Sequence, residues 1–475
     1  MERRHGVQLT YGYVHGRIAS VAVNGNALLT EVLYEPFGPI RQWTWSNATS
    51  AVRTFDADGN LLQVDSGGDF YSYAYDDAFR ITGITNASSP ALSWTYGYDS
   101  RDQLTSGTSP VRNESWTYDA NGNRLTQSAT VPSTISNTLA ISASSNRVTS
   151  IAGSHANTYG YDGSGNVTSE SDAGRPVAGP GTTVYLYNAL SQRIRKSQGS
   201  ASVNFVYDEA GHLLGEYSGT GALIQETVWL GDIPVATLRP RVGGGVDVYY
   251  VHTDHLNAPR KITRASDNAI LWRWDPGAFG DTLPNENPEN AGTFAYNLRF
   301  PGQYYDAESG LHYNYFRDYD PGTGRYQESD PIGLVAGINT YAYTNNSPLD
   351  SIDAPGLAGE RGGGRKSLGG NDPLIPQNIT KNTPKAEVDK AVKALEETIK
   401  KMPNINPARK KALEAWMKVA KRGFTKSLSC PPLLEDLVKG TLREMCGMGD
   451  VQSCKTYRDF FPDDFAEDFF VRGGA

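Results

Sequence analysis

The sequence predicts a β-rich shell of short antiparallel strands followed by a small, mainly α domain. Three observations lead there: a composition heavy in strand and turn residues, a recurring aromatic-Asp unit, and a break in composition near residue 358. The chain has 475 residues, 50 of them Gly and 27 Tyr. Such a chain can bury large cores, but its Gly, Tyr, Asn and Ser content favours strands joined by tight turns over much of its length.

The unit is an aromatic residue followed by Asp or Asn, a small or polar turn, then Arg or Asn and an aliphatic residue. Instances begin at Phe55-Asp56, Tyr75-Asp76, Tyr98-Asp99, Tyr118-Asp119, Tyr161-Asp162, Tyr187-Asn188 and Tyr207-Asp208. Their leading aromatics stand 20, 23, 20, 43, 26 and 20 residues apart. The long gap hides a worn copy, because Asn146-Arg147-Val148 matches Asn123-Arg124-Leu125 and puts Ile141 in the aromatic place. Alternating stretches such as Trp94-Thr95-Tyr96-Gly97-Tyr98 suit a pleated surface, and Asp-x-x-Gly-Asn supplies the positive φ of a turn, so each unit reads as a β-hairpin. A lone hairpin is marginal in water; successive hairpins must pair edge to edge into a long sheet. On spacing alone a generic β-solenoid or propeller is the alternative.

From residue 358 onward the chain holds 21 Lys+Arg against 16 Asp+Glu, which leaves 23 against 36 of the whole chain's 44 and 52 for residues 1–357. A basic segment follows an acidic one. Cys430, Cys446 and Cys454 and four of the five methionines lie in that last segment, while all seven histidines precede it. The first residues lack the apolar run of a signal peptide, and no stretch is apolar and long enough to be a transmembrane segment.

The repeated units resemble the YD repeats of the Rhs family of polymorphic toxins. Residues 249–357 are similar to that family's core region, through Tyr250-Val251-His252-Thr253-Asp254-His255-Leu256, Phe300-Pro301-Gly302-Gln303-Tyr304-Tyr305-Asp306, Gly310 to Pro321 and Gly324 to Leu334. The resemblance covers about three quarters of the chain. It implies a β-cocoon that encloses a C-terminal toxin, made in a bacterial cytoplasm and exported into a target cell by a dedicated apparatus such as type VI secretion. It also implies a cognate immunity protein as partner. The domain reading is therefore YD repeats over 1–248, the core region with a self-cleavage motif over 249–357, a Gly-rich linker over 358–378 and a helical cargo over 379–475. A compact 118-residue cargo needs a surrounding sheet of roughly 6,000 Å², whereas 357 residues at a realistic strand content cover only about 3,400 Å². The chain is thus expected to be a partial cocoon, completed by an N-terminal Rhs part.

Within the core region, Ser329-Asp330-Pro331-Ile332-Gly333-Leu334 recurs loosely as Ile352-Asp353-Ala354-Pro355-Gly356-Leu357. In the family the second copy precedes the self-cleavage point, and the resemblance places an aspartic-type protease on Arg317, Asp330 and Asp353, cutting between Leu357 and Ala358. Two carboxyl groups that share one proton can hydrolyse a peptide, the ionised one activating water and the protonated one polarising the carbonyl. An adjacent Arg orients the charged form by charge-assisted hydrogen bonds. No cofactor is required for that step. The family usually has Pro directly after the second Asp; this chain has Ala354 there, with Pro355 one place later, a change expected to slow the cut. Asp350 is close enough in sequence to complicate a mutant series. His252 and His255 form a short His-x-x-His pair without an evident carboxylate partner, and no metal site is expected there; a structural role fits better.

In the cargo, the period changes from 2 to 3.6 residues, with Val388, Val392, Leu395 and Ile399 on one helical face. Residues 379–426 hold 13 Lys+Arg against 5 Asp+Glu, a density that suits nucleic-acid phosphates as substrate or, equally, a solvated face or an acidic partner. The absence of histidine excludes His-dependent nucleases, Cys-His proteases and zinc deaminases of the His-Cys-Cys kind. The remaining candidate site is acidic, Glu435, Asp436, Lys439 and Asp450, where carboxylates could bind Mg²⁺ for phosphodiester cleavage. A YD-repeat cell-surface adhesion protein and an inactive orphan Rhs tip are the alternative functions.

Overall fold

The computed structural model describes residues 2–361 apart from 5–6, 36–38, 57–58, 131–133, 172–181, 336 and 358–359, and beyond them Lys385 and Lys393. The chain divides into two units, Met1–Lys366 and Ser367–Ala475. The expected helical cargo falls outside the described residues, save that Lys385 and Lys393 are helical.

The first unit is a meander of antiparallel strands. Seventeen of them, from Glu2–Arg4 to Val167–Glu170, form one sheet and nine more, from Thr183–Tyr187 to Ile270–Arg273, form a second. A four-stranded sheet follows over Tyr304–Asp306, Leu311–Asn314, Arg317–Asp320 and Arg325–Tyr326.

Each repeated unit has one local device. Asp119 donates its backbone N–H to the Asn123 carbonyl (2.9 Å) and accepts on Oδ1 from the amides of Asn121 and Asn123, both at 2.8 Å. The Gly122 N–H closes the loop on the Asp119 carbonyl at 3.1 Å, and the Asn123 side chain fills Oδ2 at 2.9 Å. These five residues form an Asx-type loop, in which the carboxylate replaces the backbone acceptors that a longer turn would need. The fourth place carries positive φ in each of the seven units: Gly59 (83°), Phe79 (61°), Asp102 (63°), Gly122 (77°), Gly165 (94°), Ser191 (58°) and Gly211 (92°). The two backbone closures and the fifth-residue amide on Oδ1 recur at Asp56, Asp76, Asp99, Asp162, Asn188 and Asp208.

The aromatic has a separate task. Tyr98 Oη donates to the Ile81 carbonyl (2.7 Å), Tyr118 to Leu104 (2.7 Å), Tyr161 to Val148 (2.9 Å) and Tyr207 to Arg193 (3.1 Å). Each hydroxyl thus ties its unit to the first residue after the preceding loop. A β-bulge at every one of these tyrosines turns the ring toward that carbonyl. Ile141 keeps the bulge and the pairing with Val148 but has no hydroxyl, and Trp229 substitutes its indole N–H, donating to the Leu213 carbonyl at 3.0 Å.

The two large sheets meet face to face at one end of this unit. Val7, Leu9, Val21, Val23, Trp43 and Trp45 of the first pack against Val228, Leu230, Val235, Leu238 and Tyr250 of the second, all buried. The Trp45 Nε1–H crosses between the sheets to the Val235 carbonyl at 3.0 Å. Burying each such large side chain stabilises by about 1.5–3 kcal/mol, so this end is a packed sandwich.

The core region then runs along the loop ends of the repeats. Asp350 accepts the Ile81 amide (3.0 Å), Asn346 donates to the Gly122 carbonyl (2.8 Å), Tyr341 to Gly165 (2.7 Å) and Tyr313 to Ser191 (2.8 Å). Arg325 binds the Asn123 side chain at 3.0 Å and the Asn146 carbonyl. These loops have backbone groups that no strand neighbour claims, and the core-region side chains satisfy them. The repeats thereby fix the core region in place.

Candidate active site

Arg317 opens the third strand of the small sheet, paired with Asn314 across a tight turn. Its side chain is buried, and the cost of burying a guanidinium is met by neighbours on every side. Nη2 donates to Asp330 Oδ2 at 2.9 Å and to Asp353 Oδ2 at 3.0 Å. Nη1 reaches the Thr340 carbonyl at 3.1 Å, and the plane of the group lies 3.6 Å from the centre of the Tyr326 ring. The structure brings the three residues expected from the sequence together.

Because both carboxylates hold the same nitrogen, their oxygens lie within about 6 Å, the range over which one charge raises another's pKa. Asp330 is pushed up to about 6: burial is the main cause, Arg317 and the Ile332 amide oppose it, and Asp353 adds to it. Asp330 therefore keeps its proton to higher pH than an ordinary carboxyl. Asp353 Oδ2 accepts from both Arg317 and the Tyr326 hydroxyl, the latter at 2.8 Å.

The site also grips backbone. Arg317 Nε donates to the Gly356 carbonyl at 2.6 Å, and the Leu357 N–H donates to Asp353 Oδ1 at 2.9 Å. The two residues before the expected scissile bond are thus held by two of the three site side chains. Ala358 lies outside the described residues; Glu360–Arg361 then pairs antiparallel with Ser351–Ile352.

The loop from Asp353 to Leu357 repeats the geometry of the shell loops. Gly356 N–H closes on the Asp353 carbonyl at 3.2 Å, the fifth residue caps Oδ1, and the fourth, Gly356, has φ of 69°. A Cβ at Gly356 would lie 2.2 Å from the Asn314 carbonyl oxygen, so only glycine fits. The Asp330 loop is of the same kind, with the Ile332 amide on Oδ1 (3.0 Å) and Gly333 at φ 61°. The Ala354-Pro355 order has a physical consequence here. In the repeat loops the third residue donates its amide to the Asp, as Asn121 does, but Pro355 in that place has no N–H.

Asp350 is set apart from this cluster. It accepts from the Ile81 amide, the Tyr98 hydroxyl (3.3 Å) and Ser347 (3.2 Å), and so clips the core region to the repeats. His252 ends up in a strand and His255 in the turn after it, both buried; their Nε2 atoms lie 2.9 Å from Thr263 Oγ1 and 2.8 Å from the Leu349 carbonyl. Burial pushes His252 down to about 3. The cargo residues Glu435, Asp436, Lys439 and Asp450 lie outside the described residues.

Residues 79–226 match the Teneurin YD-shell family and residues 55–91 the RHS Repeat family. The chain is 40% identical over 112 residues to the double-stranded DNA deaminase toxin A of Burkholderia cenocepacia, and 39% identical over 114 residues to toxin protein Tse5 of Pseudomonas aeruginosa. Each match covers 24% of this chain and 8% of the relative. It is 31% identical over 182 residues to the probable deoxyribonuclease RhsB of Dickeya dadantii, covering 37% of this chain and 12% of that protein. Residues 55–226 of the chain are Rhs/YD-repeat sequence. The chain spans about a tenth of the length of these Rhs relatives. In fold the Rhs shell matches the TcdB2-TccC3 crystal structure without its hypervariable C-terminal region, with a TM-score of 0.58 at 18% identity over 74% of this chain and 20% of that one.

Sequence reasoning missed Tyr326 and Asn314. Both stood inside the core-region motifs, but nothing in the spacing tells which tyrosine of Tyr313, Tyr315, Tyr319 and Tyr326 turns toward a carboxylate. The likeness between Asp353-Ala-Pro-Gly-Leu357 and Asp119-Ala-Asn-Gly-Asn123 was available in the sequence and identifies the loop type.

Proposed function

We propose that this chain is the C-terminal part of an Rhs-type effector, whose shell carries a toxin and frees it by cutting its own backbone after Leu357. The observation that carries the reading is the buried Arg317, Asp330 and Asp353 cluster with Gly356 and Leu357 hydrogen-bonded into it. Holding the substrate in the chain converts a bimolecular hydrolysis into an intramolecular one, and a single turnover suffices. The raised Asp330 supplies the protonated carboxyl and Asp353 the water-activating one. No cofactor enters this step.

The cargo of residues 358–475 is proposed to be an antibacterial toxin, delivered by a secretion apparatus or by an N-terminal Rhs part and neutralised in the producer by a cognate immunity protein. Its basic half and its histidine-free acidic half favour metal-dependent attack on nucleic acid, with Glu435, Asp436, Lys439 and Asp450 as candidate Mg²⁺ and catalytic groups. Expressing residues 358–475 alone in bacterial cytoplasm and periplasm should arrest growth in at least one of them. Plasmid and total RNA incubated with the product and Mg²⁺, with and without EDTA, should be degraded only without the chelator. Harmless expression in both compartments contradicts the toxin reading; toxicity with intact nucleic acid contradicts the nuclease.

A further inference from the structure

The two carboxylates are not equivalent, and a residue outside the expected triad makes them so. Tyr326 Oη donates to Asp353 Oδ2 at 2.8 Å while the Arg317 guanidinium carbon sits over its ring, 3.6 Å from the centre. The hydroxyl is itself fixed: Asn314 Nδ2 donates to Tyr326 Oη at 2.8 Å and to the Asp353 backbone carbonyl at 2.8 Å. Tyr326 and Asn314 are both buried, so water does not compete for these bonds. Among the described residues no tyrosine bonds to Asp330 in this way; its oxygens meet Arg317 and the Ile332 amide.

We infer that Tyr326, oriented by Asn314, is a positioning residue for the cut: its hydroxyl fixes Asp353 as the carboxylate that activates water and leaves Asp330 to carry the exchangeable proton. The inference rests on the autoproteolytic reading and assigns its roles. Water attacks the Leu357 carbonyl carbon, one of its protons passes to Asp353, and the Asp330 proton passes to the carbonyl oxygen. The resulting diol collapses with cleavage of the C–N bond. The proton on Asp353 goes to the Ala358 nitrogen, a diol proton returns to Asp330, and the products are the Leu357 carboxyl group and the Ala358 amine.

A hydrogen bond to the charged form of a carboxylate favours that form over the protonated one, so losing the Tyr326 hydroxyl should narrow, from the acid side, the pH range over which the cut runs. The other charged or titratable groups facing Asp353 are Arg317, Asp330 and Tyr343, and Glu328 faces Arg317. Tyr326→Phe retains all of these and the ring on Arg317.

The test is a pulse of cell-free synthesis of the full chain, chased at pH values from 4.5 to 8.5, with the fragment ending at Leu357 followed by intact mass. Tyr326→Phe should move the acid midpoint of the pH–rate profile up by about one pH unit, giving roughly tenfold slower cutting at the acid end, and leave the rate above the midpoint within about twofold. Asn314→Ala should move it in the same direction by less. Tyr341→Phe removes a core-region hydroxyl bonded to the Gly165 carbonyl and should leave the midpoint in place. Uniform slowing of Tyr326→Phe and Asn314→Ala at every pH, or profiles that superimpose on wild type, overturns the inference alone. A wild-type chain that never cuts overturns the autoproteolytic reading and the inference together.

Discussion

The loops of the shell and the loop that ends at Leu357 share one backbone design and differ in who holds the second carboxylate oxygen. In the shell, Asp76 gives Oδ2 to Arg80, Asp119 to Asn123 and Asp208 to His212, each four residues away. In the terminal loop, Asp353 gives Oδ2 to Arg317 and Tyr326, brought from 36 and 27 residues away. A locally satisfied Asp is a turn-former with its charge spent at the surface. The same Asp held by distant, buried groups and placed within reach of a second carboxylate is a chemical group. In the proposed cut, reactivity comes from tertiary partners laid over an ordinary turn, and the partners sit where the repeats' loop backbone groups bond to the core region.

The largest expected effect separates the two kinds of Asp. Asp330→Asn and Asp353→Asn, which keep shape and remove charge, should each slow cutting at least a thousandfold on denaturing gels, whereas Asp350→Asn and Asp119→Asn should cut at the wild-type rate. Arg317→Ala should also abolish cutting, but it leaves two buried carboxylates uncompensated and should destabilise the fold by about 3–5 kcal/mol in chemical denaturation.

Next comes the turn itself. Gly356→Ala meets the Asn314 carbonyl oxygen and a φ of 69°, and should reduce cutting at least a hundredfold. Gly59→Ala, with φ of 83° and open space around the new methyl, should cost about 1–2 kcal/mol of stability and leave the cut unchanged. Equal effects on cutting would erase the distinction between the loops.

A pH dependence follows from Asp330, whose proton is held to about pH 6 by burial. The protonated form is the one the proposed cut uses, so the rate should be high below that value and fall about tenfold per unit above it. A rate that rises through pH 6 would contradict the assignment. The exchange Ala354→Pro with Pro355→Ala returns an N–H to the third place of the loop and should move the acid side of the profile down, opposite to Tyr326→Phe. The smallest effect is expected in the shell, where Tyr118→Phe forfeits one hydrogen bond to the Leu104 carbonyl and should lower stability by about 1 kcal/mol without touching the cut.

The strand-loop-strand repeat was legible because its signals are local: an aromatic at a bulge, an Asp that caps its own loop, and a residue that takes positive φ. Even the worn copy at Ile141 could be placed, since Asn146-Arg147-Val148 kept the spacing. Arg317, Asp330 and Asp353 were legible only through resemblance, as their meeting depends on pairings such as Asn314 with Arg317 and on the Asp330 amide bonding to Thr340. Tyr326 was not legible at all, because its neighbour is set by tertiary packing among several tyrosines. The face-to-face packing of residues 7–51 on 228–250 was equally hidden. Alternation tells which side of a strand is apolar, but not which sheet will cover it.

The central claim is that the repeat-type loop at Asp353 has become a site of self-cleavage, and intact mass spectrometry of the purified full chain beside its Asp353→Asn variant addresses it directly. The account predicts two wild-type species, about three quarters and one quarter of the mass, with the break between Leu357 and Ala358, and one full-length species for the variant. A single full-length wild-type species that persists for days, or a break at that bond that survives Asp353→Asn, would contradict it.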